Sequence, residues 1–485
     1  MTTPLDPWPT GVPGLDLLLQ GGLDRHALVA VVGPSGAGKT VLASQILFHA
    51  VQHGERALLL TAYAEDHTKL LAHLRPLAFF NEPAVGDAVT LVSLPSLLGM
   101  TIDSATSAII TTIRASGARL VMLDGFQGIA DQLNDSMALR RVLAAVATQL
   151  SYLDVTLLLT LTGTARNEAT TSLTTVDVVL GLHYGLDGIQ HTRRIEVLKQ
   201  RGRGHLPGTH SYTLTNTGVT ITPQLEVRAP PATQPRPTGR VPFQLAELDQ
   251  LLGGGLTAGT TTLLVGAPGV GKTSLGLMWA LAVADPAGSS LFLGFDEQLP
   301  EVQLKADFLG LPLGPAQAAG VFTFLHLSPV QLNPDLVAER LLAALTPTTR
   351  RVVIDNVGIV VQALGARAGD YLAALVRHLY AAGVTTLLVV EITAFAGLHF
   401  DVADTPLSVL ADTIVIVQQV AAQGVIRRVL GVLKMRYSGY DTTLREVMID
   451  AAGIHVLPAA QSAPGVLAAE AMDLTAPPEE TPPPG

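Results

Sequence analysis

Lysine is scarce in this chain, and its few positions mark where phosphate chemistry would be done. Arginine outnumbers lysine 24 to 6, and four of the six lysines fall at matching places in a sequence that is read twice. Lys39 lies in Gly33-Pro34-Ser35-Gly36-Ala37-Gly38-Lys39-Thr40 and Lys272 in Gly266-Ala267-Pro268-Gly269-Val270-Gly271-Lys272-Thr273, an offset of 272 − 39 = 233 residues. Lys199 in Lys199-Gln200-Arg201 and Lys434 in Lys434-Met435-Arg436 recur at 434 − 199 = 235. Both glycine-rich segments are complete GxxxxGKT phosphate loops. Glycines at 33, 36 and 38, and at 266, 269 and 271, let backbone amides, such as that of Ser35, close around phosphate oxygens. The lysine reaches the β and γ phosphates, and Thr40 or Thr273 offers a hydroxyl to magnesium. Two nucleotide sites are expected, each taking a nucleotide's phosphates with Mg2+.

Asp124 and Asp355 each close an apolar run downstream of their loop, where an acid holds the water shell of the metal. The alternative for either is a strand-terminal Asp capping a turn. Hydrolysis also needs a carboxylate that positions water. Phe295-Asp296-Glu297 offers two such acids in the second half, whereas Tyr63-Ala64-Glu65-Asp66 offers Glu65 with Ala64 opposite Asp296, unless a one-residue shift pairs Glu65 with Asp66. Solvated loop charge is the bland reading of these acids. Lys199 with Arg201, and Lys434 with Arg436, end strands that begin near Arg193-Arg194 and Arg427-Arg428. Such a pair could stabilise transferred phosphoryl charge, or could simply protect an edge strand. The scarcity of lysine elsewhere favours the first.

The elements that must carry these residues are legible around each loop. An apolar strand from Ala27 to Val32 leads into the first loop and a helical pattern from Val41 to His53 leaves it; the second copy uses Thr261 to Val265 and Ser274 to Ala284. Further apolar runs follow at 57–60, 120–124, 291–293 and 352–355, each separated from the next by a helical stretch. That is the pattern of parallel strands buried on both faces, so an α/β fold of two tandem mainly parallel sheets flanked by helices is expected. The boundaries expected are 1–228 for the first domain, a proline-rich linker at 229–240, 241–458 for the second domain and a disordered Ala/Pro tail at 459–485.

Composition narrows the partners. At 485 residues the chain exceeds one core, and 48% apolar with 14% charged residues is a globular balance. The net charge of −10 disfavours a general nucleic-acid surface or attraction to anionic lipid. With no cysteine there is no disulfide, thiolate metal site or cysteine nucleophile. Without a basic-apolar leader in the first residues or 18 uninterrupted apolar residues, a cytoplasmic protein off the membrane is expected.

At these motifs the sequence resembles the tandem KaiC-type ATPases of the RecA-like superfamily. The approach Pro9-Thr10-Gly11-Val12-Pro13-Gly14-Leu15-Asp16 with Gly21-Gly22-Leu23, and its copy Leu248-Asp249-Gln250-Leu251-Leu252-Gly253-Gly254-Gly255-Leu256, carry the likeness together with the Lys-x-Arg strands, over about residues 9–457. The resemblance implies a two-tiered homo-hexameric ring with ATP between subunits. Lys199, Arg201, Lys434 and Arg436 would then act on the neighbour's nucleotide, and Glu65, Asp296 and Glu297 would position water. The clock members of that family autophosphorylate an adjacent Ser-Thr pair, where this chain reads Ser408-Val409 and keeps one acceptor. A regulatory partner would dock at the tail or a ring face. Two other readings stand beside this oligomeric ATPase and possible serine autokinase: a RecA-like DNA-dependent ATPase, and a signalling scaffold that ATP gates with little turnover.

Overall fold

The computed structural model describes residues 7–61, 67–93, 102–125, 138–163, 173–187, 190–232, 238–282, 288–330, 332–392, 409–422 and 424–458. The chain divides into two compact units, 1–228 and 229–485. The expected tail, Glu65 and Ser408 lie outside the described residues.

In the first unit β1 (Leu28–Gly33), β2 (Ala57–Thr61), β3 (Val89–Ser93), β4 (Leu120–Asp124), β5 (Thr156–Thr162), β6 (Val178–Asp187), β7 (Gln190–Gln200), β8 (His210–Thr215) and β9 (Gly218–Thr222) form one sheet in the order β3-β2-β4-β5-β1-β6-β7-β8-β9. From β3 to β6 the pairing is parallel; from β6 to β9 it is antiparallel. The second unit opens with a two-stranded sheet of β10 (Arg240–Val241) and β11 (Leu256–Thr257), so Arg240, the last residue of the expected linker, is already paired. Then β12 (Thr261–Gly266), β13 (Ser289–Gly294), β14 (Phe322–His326), β15 (Thr349–Asp355), β16 (Thr385–Glu391), β17 (Thr413–Ala422), β18 (Val425–Met435), β19 (Arg445–Asp450) and β20 (Gly453–Val456) repeat the same order, β14-β13-β15-β16-β12-β17-β18-β19-β20. Each is a mainly parallel sheet flanked by helices, as the alternation of apolar runs predicts.

The pleat explains why β1 reads as an unbroken apolar run. Val29 and Val31 face one core layer with the helix Lys39–Gln52, while Leu28, Ala30 and Val32 face the other, toward Ile109, Ile113 and Val146. Helix Lys39–Gln52 seats Leu42, Ala43, Ile46, Leu47 and Ala50 on the sheet, apolar positions at helical spacing. The antiparallel half was not anticipated. Its strands carry charge along their length, as in Arg193-Arg194-Ile195-Glu196, and so lack the continuous apolar run that marks β1.

One stretch, Val357–Ala381, is long and apolar enough to cross a membrane by length and composition. It consists of two helices, Val357–Leu364 and Ala368–Ala381, broken at Gly365. Val357, Val360, Tyr371, Leu372, Leu375 and Leu379 along it are buried in the unit's core.

Candidate functional site

Both phosphate loops follow the carboxyl end of the central strand of their sheet, β1 or β12, where open α/β sheets bind ligands. Gly38 and Gly271 enter the helices behind them with φ of 87° and 101°, in the left-handed region glycine occupies without strain. Gly33 must also be glycine because a β-carbon there would lie 2.6 Å from the Leu182 carbonyl oxygen. Ser35, Gly36 and Gly269 lie between these glycines in the loops, and Gly269, with φ 75°, adopts the left-handed conformation that a side chain would strain even though nothing crowds a β-carbon there.

In the first site the Lys39 ammonium donates to the carbonyls of Gly33 and Pro34, each at 2.9 Å, curling onto its own loop. Burial pushes its pKa below the usual lysine value, with Asp124 opposing. The Thr40 hydroxyl donates to both oxygens of Asp124 at 3.0 and 3.1 Å. Thr160 at the neighbouring strand donates to the same carboxylate and accepts the Gly125 N–H at 2.9 Å. The Tyr212 hydroxyl, from β8, donates to the Ala37 carbonyl inside the loop, and burial pushes that phenol up to about 12.

The second site is a cavity of about 360 Å³ lined by Lys272, Thr273, Asp296, Glu297, Lys305 and Asp355 among others. Lys272 donates to the Ala267 carbonyl at 2.7 Å and stands 3.8 Å from Glu391 at the end of β16. Burial lowers its pKa, with Glu391 and Asp355 opposing. Asp355 is hydrogen-bonded by Thr273; burial, the larger cause, raises its pKa, and the Thr273 bond and Lys305 work against that rise. Lys305 contacts Glu297 at 2.6 and 2.8 Å. So the structure gathers Lys272, Thr273, Asp296, Glu297 and Asp355 around one cavity, and Lys39, Thr40 and Asp124 around the other loop.

The Lys-x-Arg residues are not gathered with them. Asp177 takes the Leu28 N–H at 2.9 Å and its carbonyl takes the Arg201 N–H at 3.0 Å, which sets Arg201 abreast of the start of β1. Gly33 is 33 − 28 = 5 residues further on, roughly 16 Å along the strand. The Arg201 guanidinium donates to the Thr174 carbonyl at 2.6 Å and Lys199 to that carbonyl at 2.9 Å, both at this far end. The second unit repeats the arrangement: Asp412 accepts from Thr261 N–H at 3.1 Å, its carbonyl takes the Arg436 N–H at 2.8 Å, and Arg436 reaches the Val409 carbonyl at 3.3 Å. Lys434 lies opposite Ile414 in the same register. Burial and the neighbouring arginine lower the pKa of both lysines. The arginines expected to begin these strands lie a few residues inside them, at the loop end. Arg193 sits 4.6 Å over the Tyr184 ring, and Arg427 pairs with Glu446 at 2.6 Å.

Sequence reasoning missed Thr160, Tyr212, Lys305 and Glu391. Of these only Lys305 carried a signal, as another of the six lysines; its nearness to Glu297 depends on how the helix Leu299–Phe308 packs.

A phosphate-loop ligand fits what is present. The half-buried Lys39 and the buried Lys272 each direct an ammonium at the carbonyls of their own loop, where phosphate oxygens would compete for it, and each threonine hydroxyl faces one carboxylate. The one hydroxyl and one acid at each loop suit Mg2+ held together with water and substrate phosphate rather than by a protein cage.

Two stretches of the chain, 8–226 and 241–461, match the family model described as ATPase: KaiC. The circadian clock oscillator protein KaiC of Picosynechococcus sp. is 25% identical over 92% of this chain and 88% of its own length. KaiC 1 of Synechocystis sp. is 24% identical over 91% and 87%, and KaiC of Synechococcus elongatus 23% over 92% and 88%. With two phosphate loops on two RecA-like sheets and both halves matched, this chain belongs to the KaiC ATPase family.

Proposed function

We propose that this ATPase hydrolyses ATP at the boundaries between copies of itself, in a homo-hexameric ring. The observation that carries the reading is the placement of Lys199, Arg201, Lys434 and Arg436 at the end of each sheet opposite to its own loop. A cation there serves no phosphate in its own unit, which supports a role toward one bound by a neighbour in a head-to-tail ring. The loop amides with Lys39 or Lys272 bind the phosphates, and Thr40 with Asp124, or Thr273 with Asp355, holds Mg2+, which supplies charge neutralisation at the transferred phosphoryl group. The acid pair Asp296 and Glu297 positions and polarises the attacking water in the second site, and Glu65 is proposed for the first.

Autophosphorylation at Ser408 belongs to the same proposal, as does the clock-like regulatory role that the relatives' names support. The domain limits 1–228 and 241–458, with linker and tail between and after, are part of it too. The test is direct. Light scattering of the protein with ATP and Mg2+ is expected to give a hexamer, intact mass to show a phosphate gained, and Lys39→Ala and Lys272→Ala each to remove part of the turnover. A monomer in saturating ATP, or turnover untouched by both substitutions together, refutes the reading.

A further inference from the structure

The second cavity presents two adjacent acids, and the structure treats them differently. Glu297 is held by Lys305, whose ammonium lies 2.6 and 2.8 Å from its two oxygens. Asp296 lines the same cavity and has no hydrogen bond or ion pair among the described residues. The difference is built by the helix Leu299–Phe308. Pro300 stands in its first turn, and the Glu301 carboxylate takes the Gln298 N–H at 2.7 Å, so the helix starts directly after the acid pair. Val302 and Ala306 bury the helix against the core, which sets Lys305 on the turn overlooking the cavity. Long helical side chains lean toward the amino end, so the lysine stem is directed back at Glu297.

We propose that Lys305 is a positioning residue that holds Glu297 against the cavity wall and thereby leaves Asp296 as the acid that takes the water proton; this rests on the reading that the second site hydrolyses ATP. In that step the water oxygen bonds to the γ phosphorus while the bond to the bridging oxygen breaks. The electron pair leaves with ADP, and the proton passes to the Asp296 carboxylate. Glu297, with both oxygens turned to one ammonium, keeps its place and its charge. In the first unit the register that sets Tyr63 opposite Phe295, 295 − 63 = 232, sets His73 opposite Lys305, since 305 − 232 = 73. At that position the first unit carries the exposed His73 in place of a lysine.

The test reads the second-site component of turnover, the difference between the full chain and its Lys272→Ala variant. Asp296→Asn is expected to lower kcat of that component by roughly a hundredfold or more, with KM for ATP changed little. Adding Lys305→Met to Asp296→Asn frees Glu297 to substitute and recovers about tenfold, within the range a general base contributes. Adding Lys305→Arg instead keeps the clamp and recovers nothing, and Glu297→Gln in the Asp296→Asn, Lys305→Met protein removes the gain. Lys305→Gln serves where the methionine variant does not fold. No recovery on losing the lysine, or equal recovery with arginine, overturns the role. Equal turnover of the full chain and Lys272→Ala refutes instead the hydrolysis reading on which the role depends.

Discussion

Complementation between two inactive variants decides whether the Lys-x-Arg cations act on a neighbour's nucleotide. One variant is Lys272→Ala, which keeps Lys434 and Arg436; the other is Lys434→Ala with Arg436→Ala, which keeps the loop lysine. Arg436 lies abreast of Thr261, 266 − 261 = 5 residues behind Gly266, so roughly 16 Å of strand separates it from its own loop before the phosphates begin. Within one chain the two groups do not meet. A transferred-charge cation contributes roughly 10³ or more in rate, or about 4 kcal/mol, so each variant alone loses essentially the whole second-site component. In rings assembled from equal amounts of both, an interface is complete when the loop comes from one variant and the cations from the other. With random assembly that is about one interface in four, since each protomer type occurs half the time in a head-to-tail ring. Protomers dissociated without nucleotide, mixed and reassembled with ATP and Mg2+ should therefore regain about a quarter of the lost turnover, rising with mixing time and measured by phosphate release. Turnover of the mixture no greater than the mean of the two separate variants refutes action in trans.

Three further outcomes follow from the two sites. Burial holds Lys272 below the 10.5 of a free lysine, and a bound phosphate favours the charged form, so ATP binding raises that value again. Between the lowered value and 10.5 the empty site is short of a proton, and binding takes one up. Calorimetry at alkaline pH in buffers of different ionisation enthalpy should show that uptake, and its disappearance in Lys272→Met; uptake unchanged by the substitution contradicts the assignment. By linkage the same lowered value makes the nucleotide-free fold gain stability as pH rises through this window, because the unfolded chain binds the extra proton. In the first site Thr160→Val deprives the Gly125 N–H of its acceptor and Asp124 of one donor, at a cost of about 1–3 kcal/mol. Urea unfolding of the full chain should show that loss in the first unit's transition.

The two-fold repeat, the loops and the parallel strands were legible because their signals are local. Gly38 and Lys39 announce a loop by spacing, and a strand buried on both faces must be apolar throughout. Strand ends moved by a residue or two: the strand read as 291–293 spans Ser289–Gly294, since Ser289 and Ser290 satisfy their hydroxyls on neighbouring threonines and a carbonyl and so enter the sheet despite polarity. The β6–β9 extension was not legible, because antiparallel strands with mixed residues show neither a continuous run nor a clean alternation.

Residue order alone determined that two anion cradles exist, that a threonine follows each lysine and that an acid ends a strand downstream, because chain spacing dictates a loop between strand and helix. Tertiary structure decided which groups meet there. Thr160 reaches Asp124 across paired strands, Lys305 reaches Glu297 from the next helix, and Arg201 and Arg436 are carried to the opposite end of the sheet by the antiparallel return of β7 and β18. Such contacts depend on strand order and register between segments distant in sequence, and no periodicity within either segment encodes them.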